Sequence, residues 1–182
     1  MKEVTFIVFM ILVSIWTGIA QTPSEKNKDI SDRQKSTDKR QVGFYLVLAE
    51  ADSATALPIA KTDQQIIRYD YKFLRNTENE KPKYFLLSKI ADVPLILNKI
   101  PELQEKGANG FPELRLELTS ESAKNLEKLT HDHLGGKVVF MIDNEPVTIH
   151  KIRSVITGGQ FRLSRCTDTA CQYIYGRLVE KH

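Results

Sequence analysis

The stretch Val42-Gly43-Phe44-Tyr45-Leu46-Val47-Leu48-Ala49 constrains the fold more than any other part of the chain. Read at a period of two, Val42, Phe44, Leu46 and Leu48 fall on one face, and Tyr45, Val47 and Ala49 on the other. A strand exposed on one side alternates apolar and polar residues. One that is apolar on both faces belongs inside a sheet.

Further segments supply the partners for such a strand. In Ile66-Ile67-Arg68-Tyr69-Asp70-Tyr71-Lys72-Phe73-Leu74 the apolar Ile67, Tyr69, Tyr71 and Phe73 alternate with Arg68, Asp70 and Lys72, which predicts a half-buried strand. Tyr84 to Ser88 reads as another short strand. Ser88 can cap a short helix through Asp92, stopped by Pro94. A helical turn is expected around Pro101 to Gln104. Leu114, Leu116 and Leu118 then alternate with Arg115 and Glu117.

A helix capped by Thr119 or Ser120 follows, with Ala123, Leu126, Leu129 and Thr130 as its inner stripe and Gly135-Gly136 as its stop. Lys137 to Ile142 predicts a strand, turned by Asp143-Asn144 into Val147 to Ile152. Gly158-Gly159 marks a bend, and Phe161 and Leu163 share one face of a last strand. A terminal helix from about Thr167 carries Cys171, Ile174 and Leu178 inward. The pattern predicts an α+β fold, a mostly antiparallel sheet with two main helices packed on one face.

The N-terminus sets the compartment. An apolar run from Val4 to Trp16, interrupted only by Thr5 and Ser14, is followed by Thr17-Gly18-Ile19-Ala20. Small residues one and three places before Gln21 predict a signal peptide over residues 1–20, cleaved between Ala20 and Gln21. Retention of the run as an N-terminal anchor is the alternative. Residues 21–40 hold ten charges and one large apolar residue, Ile30. Too little surface can be buried there to offset ordering entropy, which predicts a disordered linker.

Residues 41–87 then form a β-rich segment and residues 88–182 an α+β domain. Loss of the leader removes Lys2 and Glu3, so the net charge of +3 persists. That mild, dispersed excess argues against nucleic acid as a partner.

Cys166 and Cys171 lie five apart. In an oxidising compartment a bridge is expected. Thr167 or Asp168 is a good N-cap, and with Thr167 capping the two cysteines occupy the N′ and N4 positions, which touch in a hydrophobic staple. Two isolated thiols or a redox pair are the alternatives, although the spacing is not Cys-x-x-Cys.

The order Leu118-Thr119, Ala123, Leu129-Thr130, Gly136-Lys137, Asp143, Ile156 and Gly158-Gly159 resembles the head of the first periplasmic domain of SecD and SecDF, over about residues 88 to 180. In that family a strand ending in Leu-Thr leads to a helix. A Gly-Lys strand opening, an aspartate turn and a Gly-Gly bend come after it. The resemblance implies the head fold and contact with unfolded exported chains. It does not extend to the family's proton-conducting transmembrane helices, for nothing after residue 20 is apolar for long enough to span a bilayer.

Catalysis is not expected. His131 and His133 point about 200° apart on a helix, so they do not share a metal. Gly158-Gly159 is too short for a phosphate loop, and Glu113 with Glu117 read as a solvated face. Neither metal nor cofactor is expected. The residues expected to bind are Asp143, Asn144, Ile156, Gly158, Gly159 and Phe161, where backbone beside a glycine pair can receive an extended chain and Phe161 can anchor it. Expected partners are unfolded or exported polypeptide, or envelope and translocation proteins. Membrane contact is confined to the N-terminal segment, if it is retained. A secreted, periplasmic or extracellular interaction module unrelated to export is the alternative.

Overall fold

The structure, a computed structural model, describes residues 42–107 and 110–180. The expected signal peptide, its cleavage between Ala20 and Gln21, and the linker lie outside the described residues. In chain order the elements are β1 (Val42–Leu46), β2 (Ala49–Ala51), β3 (Gln64–Tyr69), β4 (Lys83–Ser88), β5 (Val93–Pro94), β6 (Glu102–Gln104) and β7 (Glu113–Glu117). Then come α1 (Ser120–Asp132), β8 (Lys137–Ile142), β9 (Glu145–Lys151), β10 (Gln160–Leu163) and α2 (Asp168–Val179). Among the described residues no helix is long and apolar enough to cross a membrane.

Strand β1 lies inside a sheet, as its two apolar faces require. It pairs antiparallel with β8 and β5, and β9 closes the far side, giving the order β5-β1-β8-β9. Phe44, Phe140 and Ile142 enter one hydrophobic cluster with Leu126 of α1, with Ile174 and Leu178 of α2, and with Leu114, Leu116 and Phe161. Tyr45, Val139 and Met141 enter a second with Ile67, Tyr69, Phe85 and Leu87. The central sheet is thus covered on both sides. Both helices and a β10-β7-β6 sheet lie on one side, and a β2-β4-β3 sheet on the other. Every strand pair is antiparallel.

The helix ends follow their caps. Thr119 Oγ1 accepts from Ser122 N, and Thr167 Oγ1 accepts from Ala170 N at 3.2 Å. Each bond satisfies one of the orphan amides of a first turn. Cys166 and Cys171 are bridged, with Cα atoms 5.5 Å apart, and both are buried. Closing so short a loop contributes about 2 kcal/mol by chain entropy.

Four elements differ from the sequence expectation. The strand predicted over Val42 to Ala49 stops at Leu46, leaves Leu48 exposed and passes Ala49 to β2 in another sheet. The strand predicted to run through Phe73 stops at Tyr69, because Tyr71 turns to φ +61° and Leu74 N donates back to Tyr71 O at 2.8 Å. The side chain of Phe73 still reaches the core. Residues 89–92 form no helix. Lys89 N extends the β3–β4 ladder to Asp63 O at 2.8 Å, and Asp92 Oδ2 accepts from Leu46 N at 2.7 Å. Four residues cannot meet the cost of helix nucleation against such bonds. The expected helical turn at 101–104 is strand β6, because the edge of β7 offers it a ladder over Glu102, Leu103 and Gln104.

The second cluster has a pH signature. Tyr45 and Tyr69, two of six tyrosines, are almost wholly buried. Burial, with Asp92 adding to it, pushes the Tyr45 phenol up to about 12. Burial, with Tyr71 adding to it, raises Tyr69 as well. Both folded values exceed the unfolded value near 10. Their contribution is therefore complete below about pH 10 and is lost as pH rises through the folded values. Urea melts at stepped alkaline pH should show Tyr45 alone removing on the order of 3 kcal/mol by about pH 12. Tyr45→Phe should flatten that decline, and an unchanged slope in this variant would show that the phenol is not its source.

Candidate functional site

The expected binding residues are shared between two places. Asp143 and Asn144 form the β8–β9 hairpin turn, with φ of +54° and +66°. Both central residues of a type I′ turn need positive φ, which Asn and Asp tolerate better than most. The Asp143 carboxylate is ion-paired with Arg177 of α2. That side chain ties a hairpin to a helix.

The other place is the bend before β10. The Ile156 amide donates to Thr130 Oγ1 at 3.0 Å, and this hydroxyl itself donates to Leu126 O at 2.8 Å. Ile156 is half-buried against the core, so it anchors the loop to α1. Gly158 and Gly159 take φ of +77° and +67°. A Cβ on Gly158 would meet open space, whereas one on Gly159 would lie 2.6 Å from Ala123 Cβ. Gly159 therefore lets the bend lie directly on α1.

Phe161 is not an exposed anchor. Its ring packs in the core, edge-on to Phe44 at 5.1 Å and to Phe140 at 5.5 Å, with the His150 ring at 5.8 Å. The alternation that puts Leu163 inward puts Phe161 inward with it. The side chains of β10 that face out are Gln160 and Arg162.

What the bend launches is an edge. Among the described residues, strand β10 pairs with β7 on one side only. Leu118 N donates to Gly159 O at 2.9 Å, so Gly159 and Leu118 are a hydrogen-bonded pair. Hydrogen-bonded and non-hydrogen-bonded pairs alternate along an antiparallel ladder. Phe161 and Leu163 therefore spend their backbone groups on β7, while those of Gln160 and Arg162 turn to the open side.

Beside this edge, Lys99, Glu102, Arg115, Glu117, Gln160 and Arg162 line a recess of about 210 Å³ on the outer face of the sheet. Lys99 Nζ lies 2.7 Å from Glu102 Oε1 and 3.3 Å from Glu117 Oε2. Its ammonium holds the Glu102 carboxyl below the usual carboxylate range. The Asn98 amide, then Lys99, does the same for Glu117. Glu113 is buried, not solvated, and accepts from Arg115 Nε at 2.7 Å. Each of these carboxylates is committed to a cation, which suits a structural face and not acid–base chemistry. Among the described residues no three His, Cys, Asp or Glu side chains group as metal ligands. His131 Nδ1 lies 3.0 Å from Asp132 Oδ1, at the exposed end of α1.

The periodicity that shows Arg162 outward was legible in the sequence. Its place opposite Arg115 was not, because register between distant strands leaves no local trace.

No family model matches the chain, and no curated protein matches it. Among solved structures it is similar to SecDF. One, described as a membrane component SecDF that enhances protein export, is 20% identical with a TM-score of 0.48, and the match covers 86% of this chain and 71% of that one. SecDF in a super-membrane-facing form is 17% identical, TM-score 0.46, with 85% of this chain covered and 21% of that one. SecDF from Thermus thermophilus, described as a translocon-associated membrane protein, is 18% identical, TM-score 0.45, with 84% and 21% covered. The chain spans about a fifth of the length of the latter two. At these identities and TM-scores the likeness carries no argument.

Proposed function

We propose that this chain is a non-catalytic, SecDF-head-like domain that works outside the cytoplasmic membrane and receives extended, unfolded polypeptide along the open edge of β10. The observation that carries the reading is that edge, where Gln160 and Arg162 turn their backbone groups away from β7. An extended chain adds to such an edge by main-chain hydrogen bonds, which are indifferent to sequence. Tolerance of sequence is what a binder of many unfolded clients needs. The setting in export comes from the order of motifs between Leu118 and Gly159. The apolar run from Val4 to Trp16 supports secretion, and a buried disulfide fits an oxidising compartment.

Photo-crosslinking of the full chain to a reduced, unfolded exported substrate tests the reading, with the same substrate folded as control. Labelling should be several-fold greater for the unfolded form. Gln160→Pro removes an amide that faces the open side and leaves the β7 ladder intact, so it should abolish the excess. Equal labelling of folded and unfolded substrate, or full labelling of the Pro variant, refutes the reading.

A further inference from the structure

The outer face beside β10 carries six charges, and they cancel in number but not in place. Lys99 is shared between Glu102 and Glu117, and Arg115 Nε is held by Glu113. The carboxylates therefore all sit on β6 and β7, each with a cation. Arg162 has neither an ion pair nor a hydrogen bond with another described residue, and it stands on the edge strand itself.

Register makes this arrangement costly. Arg162 lies directly opposite Arg115. Counting from the Gly159–Leu118 bond, theirs is a non-hydrogen-bonded pair, the kind in which facing side chains come closest, with Cα atoms about 4.5 Å apart. Like charges directly opposite one another destabilise a sheet. On the open side, the same alternation makes Arg162 the hydrogen-bonded partner of whatever strand is added. The added residue facing it would present its side chain on the same outer face, within reach of the guanidinium. A carboxylate there would pair with Arg162 and offset the repulsion from Arg115. An ammonium would add a third positive charge to the row.

From this we infer that the β10 edge selects extended segments bearing Asp or Glu at the position opposite Arg162. The inference rests on the edge-strand reading and adds charge selectivity to it. Arg162 acts here as a specificity determinant, while the main-chain ladder supplies the binding itself.

Fluorescence anisotropy of the full chain with three labelled peptides tests it. The peptides share an alternating Val-Thr background and differ only at the outward-facing positions, which are Glu, Gln or Lys. The Glu peptide should bind roughly two- to fivefold more tightly than the Gln peptide, and the Lys peptide should bind most weakly. The spread should shrink at high salt, because an exposed pair is screened. Arg162→Gln should erase the preference and Arg162→Glu should invert it, with thermal melts confirming that both variants fold.

Equal binding of all three peptides overturns the charge selection and leaves the edge-strand reading standing. A Glu preference that survives Arg162→Gln also overturns it, by placing the selecting charge elsewhere. Binding of none of the three overturns both.

Discussion

Phe140→Ala is expected to lower the unfolding free energy by about 3–5 kcal/mol, the cost of removing a buried ring and leaving a cavity behind. Phe140 is fully buried at the middle of β8, between β1 and β9. Its ring lies 5.3 Å from that of Phe44 and 5.5 Å from that of Phe161, and those two meet edge-on at 5.1 Å. The three rings come from three separate strands in two different sheets. Removing the central one costs its own burial and two aromatic contacts, each worth about 0.5–1.5 kcal/mol beyond area. Domains of this size are stable by only about 5–15 kcal/mol, so about a fifth of the total or more would go. Urea melts should show a lower midpoint with an unchanged slope. Leu134→Ala, at an exposed position, should stay within about 0.5 kcal/mol of the parent. A loss below about 1 kcal/mol in Phe140→Ala would mean that the ring trio does not join the two sheets energetically.

Much of that core was legible from the chain alone, and what failed did so for a common reason. The two-faced apolar pattern of Val42 to Ala49 demanded an interior strand, and β1 is one as far as Leu46. Thr119 or Ser120, and Thr167 or Asp168, announced two helices, and in each the threonine is the cap. The Cys166–Cys171 spacing fitted a clamp across a helix entry, and the bridge is there. Such signals are local, because a cap or a staple is written within five residues. Pairing is not local. Nothing in Leu114, Leu116 and Leu118 shows that their strand joins β6 and β10 and stays apart from β1 and β8, so the division into three sheets could not be read. The misread turn at 101–104 has the same origin, since Glu102 to Gln104 becomes a strand only because β7 has a free edge. Glu113 was misplaced at the surface because its burial depends on Gly107, six residues away, lying against it. A Cβ on Gly107 would lie 2.8 Å from Glu113 Cβ. At the candidate site, alternation alone sent Phe161 inward with Leu163, which makes it a core residue and leaves Gln160 and Arg162 facing out.

Gly159→Ala is the second large effect, expected at about 2–5 kcal/mol from two separable causes. A non-glycine residue held in the left-handed region costs about 1–2 kcal/mol, and φ here is +67°. Overpacking adds about 1–3 kcal/mol, because the new Cβ would lie 2.6 Å from Ala123 Cβ and 3.4 Å from Leu118 Cβ. Gly158→Ala isolates the first cause, since φ is +77° but the space is open. It should cost about 1–2 kcal/mol. Ala123→Gly isolates the second. In the parent it weakens α1 by about 1 kcal/mol, whereas in the Gly159→Ala background it also removes the facing methyl group, so its net cost there should fall to zero or become a gain. Urea melts of the four proteins in this cycle measure the coupling directly. Additive behaviour of the two substitutions would show that the bend does not rest on α1, and the β10 edge would then lack that support.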